Sequence, residues 1–234
     1  MNAAGDHSMA TRKAFAPFDD LLPELEEMVG GDWSQVEGFP AWSRCRLLAM
    51  RPGGSVARLM SAHAVCMKVG DNLFVHAGLR PQHLRGAGGV AEAEEVMENM
   101  NAGAAAWLLG SGKAMPNVLF GEDSPVWTRV YSSPDSRDVD EAARAELEEV
   151  LRLTGTKRML VGHTPQRLGI NSAANGQIWR VDTGMTAMIG GRPEVLEIVG
   201  DEITVLTEYK SIPADGRACR PLPPASEMET LRRQ

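Results

Sequence analysis

Two histidines define the chemistry this chain could carry. His76 ends the apolar run Leu73-Phe74-Val75 and is followed by Ala77 and Gly78; His163 ends Met159-Leu160-Val161-Gly162 and is followed by Thr164 and Pro165. Each stands where a buried strand stops and small residues let the backbone turn. Strands that release side chains at their carboxyl ends deliver them to one crevice of an open α/β sheet. Imidazoles gathered there suit zinc, iron or manganese. Either histidine could instead be a hydrogen-bonded structural residue, and two do not close a metal site, so further carboxylate or amide donors must come from elsewhere.

Two more residues belong with them. Asp182 ends Ile178-Trp179-Arg180-Val181. Its carboxylate could hold a ligand histidine from behind, or cap the turn with its own backbone. Arg129, in Pro125-Val126-Trp127-Thr128-Arg129, sits in an irregular stretch, and a guanidinium fork grips phosphate oxygens in two places, which makes it the substrate-binding candidate. An exposed arginine of no special role is the plainer alternative. His63 and His83 read as structural, and His7 lies too near a terminus to carry weight.

The elements that must position these residues follow from pattern. Pro and acids early and glycines late predict a helix over Asp20–Met28. Further helices are expected over Ala41–Met50, from a Ser55 cap with Val56, Leu59 and Met60 on one face, over Ala91–Leu109, and over Asp138–Leu153. Residues 64–69 and 72–76 around Gly70-Asp71 predict a hairpin, Pro81–Leu84 a short helical turn, and residues 110–136 a long functional loop. Lys157–Val161 is a strand. Three later runs, Gln177–Asp182, Glu194–Ile198 and Ile203–Tyr209, are expected as antiparallel neighbours. The fold class is α/β, with one domain portion over residues 1–210 and a Pro-rich, disordered or loosely packed tail over 211–234. Within that tail Arg220-Pro221-Leu222-Pro223-Pro224 has the form of a polyproline ligand for an adaptor domain, with a solvated tail as the simpler reading.

Composition narrows the function classes. A chain of 234 residues with net charge −7 has no basic stripe to displace phosphate counterions, so nucleic-acid binding is not expected. Phosphate substrates stay open, because bound metal supplies a local positive field. Cys45, Cys66 and Cys219 form no CxxC pair, which suits a reducing compartment and excludes a cysteine-built zinc site. No apolar run is long enough to span a membrane, and the first residues lack the form of a signal peptide. A cytoplasmic location is the expectation.

Phe74-Val75-His76-Ala77-Gly78, Val161-Gly162-His163-Thr164-Pro165-Gln166 and Arg180-Val181-Asp182-Thr183-Gly184 occur in that order. The set resembles the second half of a calcineurin-like metallophosphoesterase of the phosphoprotein phosphatase superfamily. The Shewanella-like protein phosphatases are the nearest branch, and Pro125–Arg129 resembles their substrate-loop motif. The resemblance covers about residues 1–199. It implies a sandwich of two mixed sheets flanked by helices, with two divalent metal ions (manganese, iron or zinc) activating a hydroxide for in-line attack on a phosphate monoester. It further implies His76 and His163 as ligands of the second metal and Arg129 as the phosphate clamp.

The front motifs of that family, G-D-x-H-G, G-D-x-x-D-R-G and G-N-H-E, do not occur here. Met1–Asp6 resembles the segment that follows G-N-H-E, so the resemblance implies a carboxyl-terminal portion whose front strands, carboxylate ligands and general-acid histidine are missing. The expected function is a protein phosphatase acting on phosphotyrosine or phosphoserine/threonine, with weak metal binding and little activity in the chain as given. A non-catalytic binding relic and a fragment of a dinucleoside polyphosphate hydrolase are the alternatives.

Overall fold

The computed structural model describes residues 41–111, 114–132, 134, 138–186, 188–207 and 211–213. The helix expected over Asp20–Met28 and the polyproline-like segment lie outside them. The chain divides into two units, residues 1–64 with 102–116 and residues 65–101 with 117–234.

In the first unit, α1 (Ala41–Met50) and α2 (Ser55–Met60) are joined by a turn at Gly53-Gly54. Two expectations for α2 are corrected. Gly54, not Ser55, occupies the capping position, because a side chain there would collide with the Leu48 and Ala49 carbonyls. The buried residue is Ala57, whereas Val56, Leu59 and Met60 are exposed. A single small residue on a six-residue helix sets the contact, and the larger apolar side chains point away.

The second unit is built on a five-stranded sheet. Its elements are β1 (Cys66–Val69), β2 (Asn72–Val75), β3 (Arg158–Val161), β4 (Asn171–Ala173) and β5 (Ile178–Arg180), in the order β1-β2-β3-β5-β4. The β1–β2 hairpin turns at Gly70, whose φ of 56° at the first central position is what a type II′ turn requires. Strands β2, β3 and β5 run parallel, with β1 and β4 antiparallel at the edges. The edge of β1 is closed by Asn101 of α3 (Val90–Leu108). Its Oδ1 accepts from the Val65 and Cys66 amides, and its Nδ2 donates to the Cys66 carbonyl, so one side chain does the work of a neighbouring strand.

Register explains the core. Leu73, Met159 and Ile178 lie side by side, as do Val75, Val161 and Arg180, and these six residues share one sheet face. All are buried. The opposite face carries Phe74, Leu160 and Trp179, which pack with Ile170, Val181, Leu196, Ile198, Ile203 and Val205. The last four of these belong to a second, antiparallel sheet of β6 (Glu194–Val199), β7 (Glu202–Thr207) and β8 (Ser211–Pro213). The result is a mixed α/β sandwich.

Here too the sequence reading is revised. β5 is not a neighbour of β6; it pairs parallel with β3 and antiparallel with β4, a short strand the sequence did not announce. All three β5 residues are buried, as suits a strand inside a sheet covered on both faces, while β6 alternates half-buried and exposed positions. Ser211–Pro213, assigned above to the tail, pairs with β7.

Helix α4 (Glu141–Thr154) leads into β3. Asp140 caps it by accepting from the Ala143 amide, and Gly155 ends it at φ 61°. Ala143, Leu147, Val150, Leu151 and Thr154 form its buried stripe. The helix starts later than expected because the Asp138 carboxylate instead binds the amides of Val139 and Ala174.

Candidate functional site

Register brings the candidate residues together. Val75, Val161 and Arg180 are aligned as the last residues of β2, β3 and β5, so the chain leaves all three strands at one level. The Gly162 amide donates to the His76 carbonyl at 2.8 Å and the Val181 amide to the Val161 carbonyl at 2.8 Å, which extends the alignment one residue further. His76, His163 and Asp182 therefore emerge along one sheet edge, at the carboxyl ends of parallel strands.

His163 reaches the site through a strained turn. Its φ is 65°, and the Thr164 amide bonds the Gly162 carbonyl at 2.7 Å across it. An i to i+2 bond around a positive φ is the rarer kind of γ-turn, unfavourable for a side chain with a Cβ. Such strain persists only where the surroundings impose it. Gln166 imposes it here: its amide donates to the Asp182 carbonyl and its Nε2 to the Thr164 carbonyl.

The turn aims Nδ1 of His163 at Nε2 of His76, 3.2 Å away. That separation is what two nitrogens each ~2.1 Å from a single ion would span. The donor set thus fits the histidine side of one metal ion. Among the described residues, no group of three or more His, Cys, Asp or Glu side chains converges to close such a site. Burial, then the Arg129 and His76 charges, lower the proton affinity of His163, against the Trp127 backbone and Asp182, which raise it. A neutral imidazole keeps a lone pair to donate. Trp127, half-exposed, lies over the ring with centroids 5.0 Å apart.

Asp182 accepts the Gln166 amide on its backbone carbonyl. Its Oδ1 accepts from the Gly184 amide at 2.8 Å and so caps its own turn, while its charge still acts on His163. Arg129 comes from the segment after α3, held to the His76 strand end because the Ala77 and Gly78 amides both donate to the Pro125 carbonyl. Its Nη1 donates to Thr164 Oγ1 at 3.0 Å. All four sequence-selected residues thus share one crevice edge.

Sequence reasoning missed the layer beneath. Thr164 Oγ1 also accepts from Ser132 Oγ at 2.9 Å, and Gln166 Oε1 accepts from Asn171 Nδ2 at 3.0 Å. Arg180, buried in β5, donates to the Tyr131 and Asn171 oxygens. The motif Gly162-His163-Thr164-Pro165-Gln166 contained two of these residues, but only their burial beside Ser132 reveals what they hold. His83 is structural, as expected. Its Nδ1 accepts from the Arg80 amide, so Nε2 carries the proton it donates to the Asp123 carbonyl. Arg80 itself grips Glu146 with Nε and Nη2 and Asp123 with Nη1.

No family model matches the chain. Over 163 residues, 68% of this chain and 39% of that protein, it is 37% identical to Shewanella-like protein phosphatase 2 of Arabidopsis thaliana. An uncharacterized protein of Schizosaccharomyces pombe is 26% identical over 87% of this chain and 66% of its own length. Among solved structures, a cold-active protein-tyrosine phosphatase of a psychrophilic Shewanella shares the fold, with a TM-score of 0.54 and 18% identity, over 77% of this chain and 50% of that one. Another structure of a cold-active protein tyrosine phosphatase gives 0.55 and 17%, over 84% and 57%. The chain thus spans about two-fifths to two-thirds of the proteins it matches. In sequence and in fold, it is a relative of the Shewanella-like protein phosphatases and of calcineurin-like architecture.

Proposed function

We propose that this chain carries the histidine and arginine side of a metal-dependent phosphate monoester hydrolase acting on phosphorylated protein. The observation that carries the reading is the 3.2 Å approach of His76 Nε2 to His163 Nδ1 at aligned strand ends, with the Arg129 charge close enough to act on His163. The relatives' names, a protein phosphatase and a protein-tyrosine phosphatase, support a phosphorylated protein as the target, with phosphotyrosine and phosphoserine/threonine as the two candidate groups.

His76 and His163 would hold one divalent ion, manganese, iron or zinc. Bound there, such an ion polarises phosphoryl oxygens and acidifies water, which is the chemistry these hydrolyses need. Arg129 binds the phosphoryl group by charge-assisted hydrogen bonds while one of its nitrogens stays on Thr164. Trp127 packs against the His163 ring, tilted 51° to it. Asp182 holds its own turn beside His163 by accepting from the Gly184 amide. His83 cannot serve as the leaving-group acid, because both its nitrogens are committed. Among the described residues no group of three or more His, Cys, Asp or Glu side chains gathers to hold a second ion. Cys66, buried and in no disulfide among the described residues, suits a reducing compartment such as the cytoplasm.

One observation favours a second reading, a non-catalytic phosphate-binding module: the described residues bring no third metal donor to the pair. The test is a titration of the full 234-residue chain with manganese, followed by NMR of the histidine rings. Weak binding that selectively broadens His76 and His163, and is lost in His76→Ala and in His163→Ala, is the expected result. Hydrolysis of p-nitrophenyl phosphate should be slow, as two donors hold an ion loosely. Absence of broadening at both rings would overturn the metal reading, and turnover at the rate of a full-length relative would overturn the view that the site is incomplete.

A further inference from the structure

We infer that Thr164 is a positioning residue that aims the Arg129 guanidinium at the phosphoryl group; this rests on the phosphate-binding reading above. Arg129 is exposed and stands on an irregular segment, so nothing in its local backbone orients so long a side chain. Its Nη1 donates to Thr164 Oγ1, at 3.0 Å. Thr164 is only 1% exposed, and its hydroxyl oxygen is fixed a second time by Ser132 Oγ at 2.9 Å. Its backbone is fixed as well, the amide on the Gly162 carbonyl and the carbonyl on Gln166 Nε2. A β-branched side chain has few χ1 states, so a hydroxyl held this way is a rigid anchor. Pinning one nitrogen of a planar guanidinium leaves its other donors in a fixed fan. Thr164 is also the residue after His163, so a single peptide link fixes the spacing between the candidate metal ligand and the anchor of the anion clamp.

Ser132 matters for the same reason, because its hydroxyl holds the Thr164 oxygen in place. With Val at position 164 the shape stays and the acceptor goes, leaving Arg129 free to sample rotamers. With Ser the acceptor stays. A purely structural threonine would not distinguish these variants through Arg129.

The experiment measures inorganic phosphate binding to the full chain by isothermal titration calorimetry with manganese present. Thr164→Val should weaken binding about tenfold, the scale of one hydrogen bond to a charged group. Thr164→Ser should stay within about twofold of the unaltered chain, and Arg129→Ala should lose at least as much as Thr164→Val. In the Arg129→Ala background, Thr164→Val should cost nothing more, because the group it positions is gone. Additive losses, or Thr164→Val binding as tightly as the unaltered chain while Arg129→Ala is weakened, would overturn the role of Thr164 and leave the site standing. No phosphate binding by the unaltered chain, or none lost on Arg129→Ala, would overturn both. Melting curves check that the variants fold. If Thr164→Val does not, Ser132→Ala reads the same coupling: roughly threefold loss with Arg129 present and none without it supports the role, and no loss with Arg129 present overturns it.

Discussion

Gly78 and Gly162 look alike in the sequence, as small residues beside the two site histidines, but they stand in different surroundings. A Cβ on Gly78 would lie 2.7 Å from Cδ2 and 3.1 Å from Cε2 of Tyr131, and 3.3 Å from the Thr128 methyl. Tyr131 is completely buried and Thr128 nearly so, so neither yields without moving the segment that carries Arg129. A Cβ on Gly162 would meet nothing closer than the His76 carbonyl at 3.5 Å, an ordinary contact. Gly78→Ala is therefore an overpacking substitution costing about 2–3 kcal/mol. Gly162→Ala should fall within about 0.5 kcal/mol of zero, its contact strain offset by the reduced freedom of the unfolded chain. For a chain of this size the first corresponds to a melting temperature lower by roughly 5–10 °C. Urea denaturation of both variants beside the unaltered protein measures the difference. Gly78→Ala should also weaken phosphate binding, since displacing Tyr131 disturbs its carbonyl bond to Arg180 and its neighbour Ser132. Equal costs at the two positions would refute the reasoning, because they would mean that the Tyr131 ring relaxes freely.

Two further outcomes follow from the groups around Arg80. Burial, and after it the Arg80 charge, lower the proton affinity of His83 below that of a free imidazole, against its bond to the Asp123 carbonyl. The stability that neutral His83 provides is complete above about pH 6.5 and is lost as pH falls through the lowered folded value. The His83 ring should titrate by NMR with a midpoint below 6.5, and the urea midpoint should drop between pH 7 and pH 5; a ring midpoint at or above 6.5 would contradict this. For Glu146 the Arg80 hydrogen bonds come first in lowering the carboxyl below its usual range. Its stabilisation is present above the ordinary carboxylate value and disappears as pH falls through the folded one. Glu146→Gln should cost about 1–3 kcal/mol at pH 7 and much less once the native carboxyl is protonated, as judged by urea denaturation at both pH values; an equal cost at both would show that charge is not what binds Arg80.

Local pattern made much of the architecture legible. The alternation and turn chemistry around Gly70-Asp71 sufficed for the hairpin, and the run at 157–161 for a buried strand. It misjudged β5, because three buried residues cannot say which strands they join; pairing is decided by distant partners. The exposed apolar side chains of α2 misled for a similar reason, since the face a short helix buries depends on its neighbour.

The sequence by itself determined the candidate site residues. A histidine after each of two apolar runs, an aspartate after a third and an arginine in the irregular segment were all visible, because residue type and strand ends are local properties. Tertiary structure alone decided that these four meet. Parallel register sets the strand ends level, and the strained turn at His163 closes the gap to His76 to 3.2 Å. It alone supplied the buried hydroxyl of Thr164, whose partners Arg129 and Ser132 lie more than thirty positions away in the chain. No periodicity records such contacts, because they are formed by packing between segments that the sequence keeps apart.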